Sequence, residues 1–159
     1  MDALRERVAE AHRSVSGQRE EVTMSYQPSG EVGMLAASFA QAWERERNQR
    51  QTVVGPHRDD LLLNINGLKA ADFGSEGQQR TLALALKLGQ GAVLESLGTR
   101  RPIFLIDDVF GELDTARRNA LMVALPAASQ KLITTTSLSW LDGAELQPKI
   151  YGVANGEVR

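Results

Sequence analysis

Hydrophobic and polar residues alternate with helical spacing in two segments near the start of the chain. Residues 2–13 and 34–50 each place apolar side chains three or four positions apart, and charged side chains occupy the positions between them. In the second segment Leu35, Phe39 and Trp43 are four residues apart, so they share one face of a helix. The pattern predicts two amphipathic helices, and it places Trp43 in the core.

After residue 50 the pattern changes to strands that alternate with helices. Residues 60–66 end at an Asn-Gly pair, which is typical of tight hairpin turns. Residues 78–97 are apolar on nearly every side, which predicts a buried helix, and residues 102–106 read as a parallel strand covered on both faces. The further predicted elements are strands at 21–26, 131–135 and 149–154 and a helix at 114–125. This order is typical of an α/β fold with right-handed crossovers.

Composition narrows the class of protein. The 159 residues are 42% hydrophobic and 24% charged, which fits one globular domain, and the absence of cysteine excludes disulfides and thiolate metal sites. No apolar run is long enough to span a membrane and residues 1–22 do not resemble a signal peptide, so we expect a cytoplasmic protein. The net charge of −2 excludes DNA binding through the overall field, so any DNA contact has to be local.

Two adjacent acids, Asp107 and Asp108, follow the apolar run directly. Acids are costly at the end of a buried strand unless something compensates their charge, and Mg²⁺ bound to a nucleotide is one such compensation. Ligands of open α/β sheets bind outside the carboxyl ends of the strands, where these acids would lie. The alternative is an ordinary strand end with two solvated acids.

A loop that contains glycine and serine, residues 74–79, precedes the predicted buried helix. Backbone N–H groups at a helix N-terminus suit a phosphate, although glycines before helices also serve turns and caps. A complete phosphate cradle of the form G-x-x-x-x-G-K-[ST] is absent from the 159 residues.

Four stretches together carry a resemblance to a known family: residues 55–61 (GPHRDDL), 73–81 (FGSEGQQRT), 83–88 (ALALKL) and 103–114 (IFLIDDVFGELD). They resemble the C-terminal portion of the RecF family, over about residues 20–140. The resemblance implies an α/β fold that is the C-terminal part of an ABC-type P-loop ATPase head, related to that of SMC proteins. Residues 53–159 would form this head part, and residues 1–52 would form a partial helical arm.

The resemblance also implies site residues for ATP and Mg²⁺. Asp107 would be the Walker B ligand of the magnesium ion, and Asp108 would be catalytic at a position where ABC proteins usually carry Glu. Thr134, Thr135 and Thr136 follow the next strand at the switch position, and Thr136 is taken as the second catalytic residue.

Further nucleotide contacts are implied for the signature loop and the D-loop. Ser75, Gly77 and Gln78 would contact the γ-phosphate of a nucleotide held by the opposite subunit, and Asp114 would close the D-loop at the dimer interface. Glu76 departs from the family pattern, and its carboxylate should face away because it would repel phosphate. Gly111 replaces a more usual Ser.

As a function, the resemblance implies recombinational repair of DNA, with links to replication and the SOS response. It implies ATP-dependent binding of single-stranded, gapped or duplex DNA, an ATP-driven homodimer, RecR and RecO type mediators as partners, and no membrane. Without the P-loop we expect the chain neither to bind ATP tightly nor to hydrolyse it alone. We also expect it to expose apolar surface that a missing lobe would cover. The alternative is a non-enzymatic interaction module or a remnant of an SMC-like ATPase head.

The remaining polar residues have plainer interpretations. His57 is interpreted as structural, and an ion pair between Arg58 and an Asp is predicted to fix the segment around it. His12 is placed on the solvated side of its helix. The pairs at 100–101 and 117–118 are either phosphate contacts or solvated arginines.

Overall fold

The structure is a computed structural model that describes residues 1–17, 20–98, 101–109, 113–138, 141 and 147–159. Its helices are α1 (Asp2–Ser16), α2 (Leu35–Gln49), α3 (Ala70–Phe73), α4 (Glu76–Ser96) and α5 (Thr115–Ala124). Its strands are β1 (Val22–Gln27), β2 (Asp60–Ile65), β3 (Leu68–Lys69), β4 (Phe104–Asp107), β5 (Lys131–Thr134), β6 (Val153–Ala154) and β7 (Glu157–Val158). The predicted helices and strands are therefore confirmed within a few residues, except that the strand predicted at 149–154 is reduced to β6.

The strands form three small sheets. Strands β1, β2 and β3 are antiparallel in that order, β4 and β5 are parallel, and β6 and β7 form a hairpin. The turns at Asn66-Gly67 and Asn155-Gly156 have positive φ at both residues (51° and 80°, 53° and 79°). Asn and Gly tolerate that conformation best, which confirms the predicted turns.

Three hydrophobic cores hold the described helices and strands together, and one of them, which consists of Ile65, Ala70 and Leu82, lies between β2, α3 and α4. The first joins α1, α4, β4 and α5, and its buried members are Val15, Leu88, Ile106, Leu113, Leu121 and Leu125. The second lies between α1, β1 and α4 and consists of Val8, Met24 and Ala85. Burial of such side chains contributes about 1.5–3 kcal/mol for each large one, so the first core holds α4, β4 and α5 together.

Glycines in α4 allow its neighbours to approach closely. A Cβ atom on Gly89 would lie 2.7 Å from Cγ2 and 2.8 Å from the backbone nitrogen of Val8 in α1. A Cβ atom on Gly91 would lie 2.5 Å from the ring of Phe104 in β4. Both distances are far inside van der Waals contact, so α1 and β4 can pack against α4 at these points only because the side chains are absent.

The division between residues 1–52 and 53–159 stays a prediction. Strand β1 pairs with β2 along six residues, from Val22 opposite Ile65 to Gln27 opposite Asp60. Helix α1 packs along α4 in the second part. The two parts therefore share a sheet and a core.

Three predictions about burial are wrong. Trp43 is 65% exposed and its helix α2 buries only Ala42, so the apolar face of α2 is open in the described residues. His12 is fully buried, at 0% exposure, because it lies on the same face of α1 as Val8 and Val15. Helix α4 is not buried all round, since Leu94 near its C-terminus is 49% exposed.

The parallel pair of strands is covered on one face only, whereas the sequence predicts cover on both. Leu105 of β4 and Leu132 of β5 lie opposite each other and are 75% and 51% exposed. Ile106, on the other face, is buried in the first core. The apolar surface predicted for this chain is therefore present.

In the described ranges we find no helix with the length and apolarity that crossing a bilayer requires.

Candidate functional site

The predicted acid pair lies at the end of β4, where β5 holds it in place. Asp107 accepts a hydrogen bond from the hydroxyl of Thr134, its parallel partner in β5. The N–H of Asp108 donates to the carbonyl oxygen of Thr134 at 3.2 Å and to its Oγ1 at 3.1 Å. Asp108 has φ 49°, so the chain turns into the left-handed region directly after the strand. Such backbone occurs often at functional sites.

Both carboxylates remain accessible. Asp107 and Asp108 are exposed, and no described Lys or Arg forms an ion pair with either of them. Within the described ranges no three His, Cys, Asp or Glu residues form a cluster that could hold a metal alone. Mg²⁺ is usually held by one or two carboxylates and by substrate phosphates. The acid pair therefore fits the protein's share of a Mg²⁺–nucleotide site, and it does not fit a metal site made of protein groups alone.

The Ser75 loop, which we define as residues 74–78, is held by a capping box at the N-terminus of α4. Ser75 Oγ accepts from the N–H of Gln78 at 3.3 Å, and the Gln78 side-chain oxygen accepts from the N–H of Ser75 at 2.8 Å. The hydroxyl hydrogen of Ser75 remains for a further acceptor. The N–H groups of Glu76 and Gly77 have no acceptor inside the helix. This end of α4 therefore presents donors that suit a phosphate.

The side chain of Gln78 has a structural role that the sequence interpretation missed. Its oxygen is used by the cap, and its Nε2 donates to Glu20 Oε1 at 2.8 Å. The spacing S-x-x-Q before a hydrophobic run is a recognisable signal of such a cap. The carboxylate of Glu76 lies 2.7 Å from Arg80, one turn further along α4, and the expectation that it faces away from a bound phosphate stays a prediction.

Asp114 caps α5 in the same manner. Its Oδ1 accepts from the N–H of Arg117 at 2.8 Å, and its Oδ2 lies 3.7 Å from the guanidinium of Arg117. That guanidinium also lies beside the Ser75 loop, because a Cβ atom on Gly77 would be 3.4 Å from Arg117 NH1. Arg118 donates from Nε to the carbonyl oxygen of Leu113 at 2.8 Å. The guanidinium groups of Arg117 and Arg118 therefore contact groups of their own chain. Arg117 lies close to both the Ser75 loop and the start of α5.

The threonines after β5 are not equivalent. Thr134 binds Asp107, whereas the Thr135 hydroxyl bonds with the backbone of Ser137. Thr136 is exposed, and within the described residues it forms no hydrogen bond with Asp107 or Asp108. Its catalytic role therefore stays a prediction. Arg100 and Gly111 lie outside the described residues.

The segment around Arg58 is fixed differently from the prediction. Arg58 Nε donates to the carbonyl oxygen of Thr52 at 2.7 Å, and His57 Nε2 lies 2.7 Å from the Thr52 hydroxyl. Within the part of the chain that the structure describes, Arg58 has no ion pair with an Asp, so that prediction is wrong. The cause is that Asp59 already has other donors.

Asp59 binds the loop after β1. Its Oδ1 accepts from the N–H and the hydroxyl of Ser29, at 2.8 and 2.9 Å, and its Oδ2 accepts from Tyr26. The hydrogen bonds from the Ser29 N–H and then from Tyr26 hold the pKa of Asp59 below its usual value. The same contact with Asp59 raises the pKa of Tyr26. Asp59 therefore joins the loop after β1 to the start of β2.

Comparison with known proteins decides the relationship. The chain is 40% identical over 153 residues to DNA replication and repair protein RecF of Streptococcus pneumoniae (strain CGSP14), which covers 92% of this chain and 42% of that protein. It is 38% identical over 162 residues to the protein of the same name from Lactobacillus delbrueckii subsp. bulgaricus, covering 94% and 42%. The resemblance to RecF is confirmed. No protein-family model matches the chain.

Solved RecF structures share the fold. The chain superposes on a structure of the recombination mediator protein RecF-ATPrS in the RecFOR pathway with a TM-score of 0.75, at 28% identity and over 99% of this chain and 43% of that one. A RecF-ATP structure gives a TM-score of 0.72 at 26% identity. The chain thus spans 42–43% of the length of these relatives and has the mixed helix and sheet fold of the C-terminal portion of a RecF ATPase head.

Proposed function

We propose that this chain provides the magnesium-binding strand end and the signature loop of a RecF-like ATPase that acts in DNA recombination and repair. The observation that carries the proposal is the accessible acid pair at the end of β4, which no described cation neutralises. Strand β4 shares the first core, through Ile106, with α4, whose capped N-terminus presents phosphate-binding donors. The similarity to RecF supports both roles.

In this proposal Asp107 holds Mg²⁺, and Thr134 fixes the orientation of its carboxylate. The ion supplies charge that stabilises the phosphates during transfer. Asp108 orients the attacking water and accepts its proton. Thr136 completes the site as a hydrogen-bond donor to the γ-phosphate or the water, since its hydroxyl is no base at neutral pH.

The Ser75 loop serves the neighbouring subunit in this proposal. The Ser75 hydroxyl and the N–H groups of Glu76 and Gly77 bind the γ-phosphate of ATP held by the opposite subunit. Gln78 contributes through its backbone and through the cap, because its side chain is committed. Asp114 caps α5 and lies at the interface between the subunits in this proposal. ATP would then drive dimerisation, which in turn controls binding of single-stranded or gapped DNA.

The chain requires a partner segment for this chemistry. It contains no G-x-x-x-x-G-K-[ST] motif, so the β- and γ-phosphates lack their main cradle. The exposed leucines of β4 and β5 support the same conclusion, because paired apolar strands are normally covered on both faces. Proteins named for the RecFOR pathway suggest RecR and RecO type mediators as further partners.

Nucleotide binding by the reconstituted site tests the proposal. The chain is produced alone and together with the N-terminal portion of a RecF protein that carries the P-loop, and binding of a fluorescent MgATP analogue is measured. We expect saturable binding only for the pair, and we expect Asp107→Asn to remove its dependence on Mg²⁺. Asp108→Asn should keep binding and lower turnover by about 10²–10⁴-fold. Turnover by the chain alone that Asp108→Asn abolishes would contradict the need for a partner segment.

A non-enzymatic interaction module is the second candidate, and the missing P-loop motif favours it. The same reconstitution separates the two candidates. If the pair assembles equally well with and without MgATP, and retention of DNA on filters shows no nucleotide dependence at any salt concentration, the module explains the chain better.

A further inference from the structure

The Ser75 loop depends on an amide whose orientation is set from outside the loop. A carboxamide presents its oxygen and its NH₂ group on opposite sides. The capping box requires that the oxygen of Gln78 face the N–H of Ser75. If the amide were reversed, two donors would face each other and the cap would be lost. Something must therefore favour one of the two orientations.

Glu20 supplies that preference. Its Oε1 accepts from Gln78 Nε2 at 2.8 Å, and a carboxylate can only accept. With the NH₂ group held by Glu20, the oxygen of Gln78 must point to Ser75. Glu20 comes from the connection between α1 and β1, 58 residues earlier in the chain, and its side chain is only 20% exposed. The acceptor is thus partly shielded from water, which strengthens the contact.

A buried histidine, His12, lies close to the other oxygen of the Glu20 carboxylate. His12 Nε2 lies 3.4 Å from Glu20 Oε2, and the imidazole has 0% exposure on the face of α1 that packs on α4. Neither ring nitrogen has a hydrogen-bond partner within the described residues. Burial lowers the pKa of His12, and the charge of Glu20 acts in the opposite direction. The carboxylate therefore lies between the imidazole and the amide of Gln78.

We propose that Glu20 is a positioning residue for the Ser75 loop, acting through the amide of Gln78, and that the buried ring of His12 packs beside its carboxylate on the α1 side. Contacts connect His12 to Glu20, Glu20 to Gln78 and Gln78 to Ser75. The conformation of the Ser75 loop therefore depends on the packing of α1. Its consequence for nucleotide binding rests on the proposed function, whereas the conformation of the loop does not involve a nucleotide.

Hydrogen exchange in the complete 159-residue chain tests the proposal without nucleotide. In Glu20→Ala we expect exchange of the Ser75 amide hydrogen to accelerate about tenfold, since a cap hydrogen bond is weakened. Amides of β2 report on global unfolding and should keep their rates. Glu21→Ala is the matched control, because it removes the neighbouring charge on an exposed residue whose two hydrogen bonds with Asn66 both use its backbone.

Rescue separates positioning from general stabilisation. Glu20→Gln keeps an acceptor for Gln78 Nε2, so protection of Ser75 should return to within about twofold of the parent chain. The same substitution removes the charge beside His12, so the pKa of His12 followed by NMR should fall. Unchanged exchange at Ser75 in Glu20→Ala, or equal acceleration in Glu21→Ala, would overturn the proposal. Since no nucleotide is present, neither result decides whether the loop binds ATP.

Discussion

The N-terminus of α4 and the end of β4 differ in how far the chain itself completes them. At α4 the Ser75 loop is bound by the side chain of Gln78, which is bound in turn by Glu20, and Arg117 lies beside Gly77. At β4 the hydrogen bonds of the acids within the described residues go to β5, and paired leucines are open on one face. The comparison shows that the described residues hold the Ser75 loop on several sides, whereas they leave the carboxylates at the end of β4 open.

The largest effect on the free energy of unfolding is expected where α1 packs on α4, the helix that begins at the Ser75 loop. Gly89→Ala would place a methyl group 2.7 Å from the side chain of Val8 and 2.8 Å from its backbone nitrogen, which cannot move aside alone. We expect a loss of about 2–3 kcal/mol in the free energy of unfolding, measured by urea denaturation. Gln90→Ala, on the exposed side of the same helix, is the control and should stay within about 0.5 kcal/mol. Equal stability of the two variants would mean that α1 does not pack closely on α4.

The next largest effect is the pH dependence of stability that His12 contributes. The pKa of His12 is lowered in the folded protein, so the unfolded chain binds a proton first as the pH falls below about 6.5. The contribution of His12 to stability is therefore present above that pH and is lost on acidification, with a slope of at most about 1.4 kcal/mol per pH unit. Urea midpoints at pH 8, 7, 6 and 5.5 measure it.

His12→Leu provides the comparison for this pH series. Leucine fills a similar volume without an imidazole to protonate, so its slope between pH 7 and 5.5 should be smaller than that of the parent chain. Identical slopes for the two chains would show that His12 does not titrate differently in the folded and unfolded states.

A smaller effect is expected from the cap itself. Ser75→Ala removes the acceptor of the Gln78 N–H and should cost about 1 kcal/mol of unfolding free energy. Ser14→Ala removes a hydroxyl from the exposed side of α1, where it bonds only to the carbonyl of Glu10, and should change stability by less than about 0.5 kcal/mol. A cost no larger than that of Ser14→Ala would show that the loop is less firmly held than the comparison states.

The smallest effect on the free energy of unfolding is expected for the acids at the end of β4. Asp107→Asn keeps an oxygen that can accept from Thr134, and the charge it removes has no described cationic partner. The free energy of unfolding of the isolated chain should therefore change by less than about 0.5 kcal/mol. A loss above about 2 kcal/mol in urea denaturation would show that the acid is a structural group, in contrast to the open end inferred here.

Sequence alone predicts the elements of this fold well because its local signals agree with the packing. Two Asn-Gly turns, the cap at Asp114 and the parallel pair of strands all lie where the pattern places them. The acids at 107 and 108 and the loop at Ser75 are likewise found at a strand end and a helix start. Each turn, cap and strand end in this group depends on residues close together in the chain, although the pairing of β4 with β5 does not.

Features that depend on distant residues were predicted less well. The spacing of Val8, His12 and Val15 is that of one helix face, yet the imidazole of His12 suggests solvent when it is considered alone. The bond from Gln78 to Glu20 joins residues 58 positions apart, so no local pattern indicates it. The apolar face of α2 that contains Trp43 shows the limit of periodicity, which identifies a face but not what covers it.

The backbone at Asp108 has a consequence for the choice of acid that follows the strand. With φ at 49°, the position favours short polar side chains that can hydrogen-bond locally, and Asp is among the few residues other than Gly that adopt this conformation readily. A glutamate would gain one methylene of reach and would lose that compatibility. At this turn the main chain favours the shorter carboxylate.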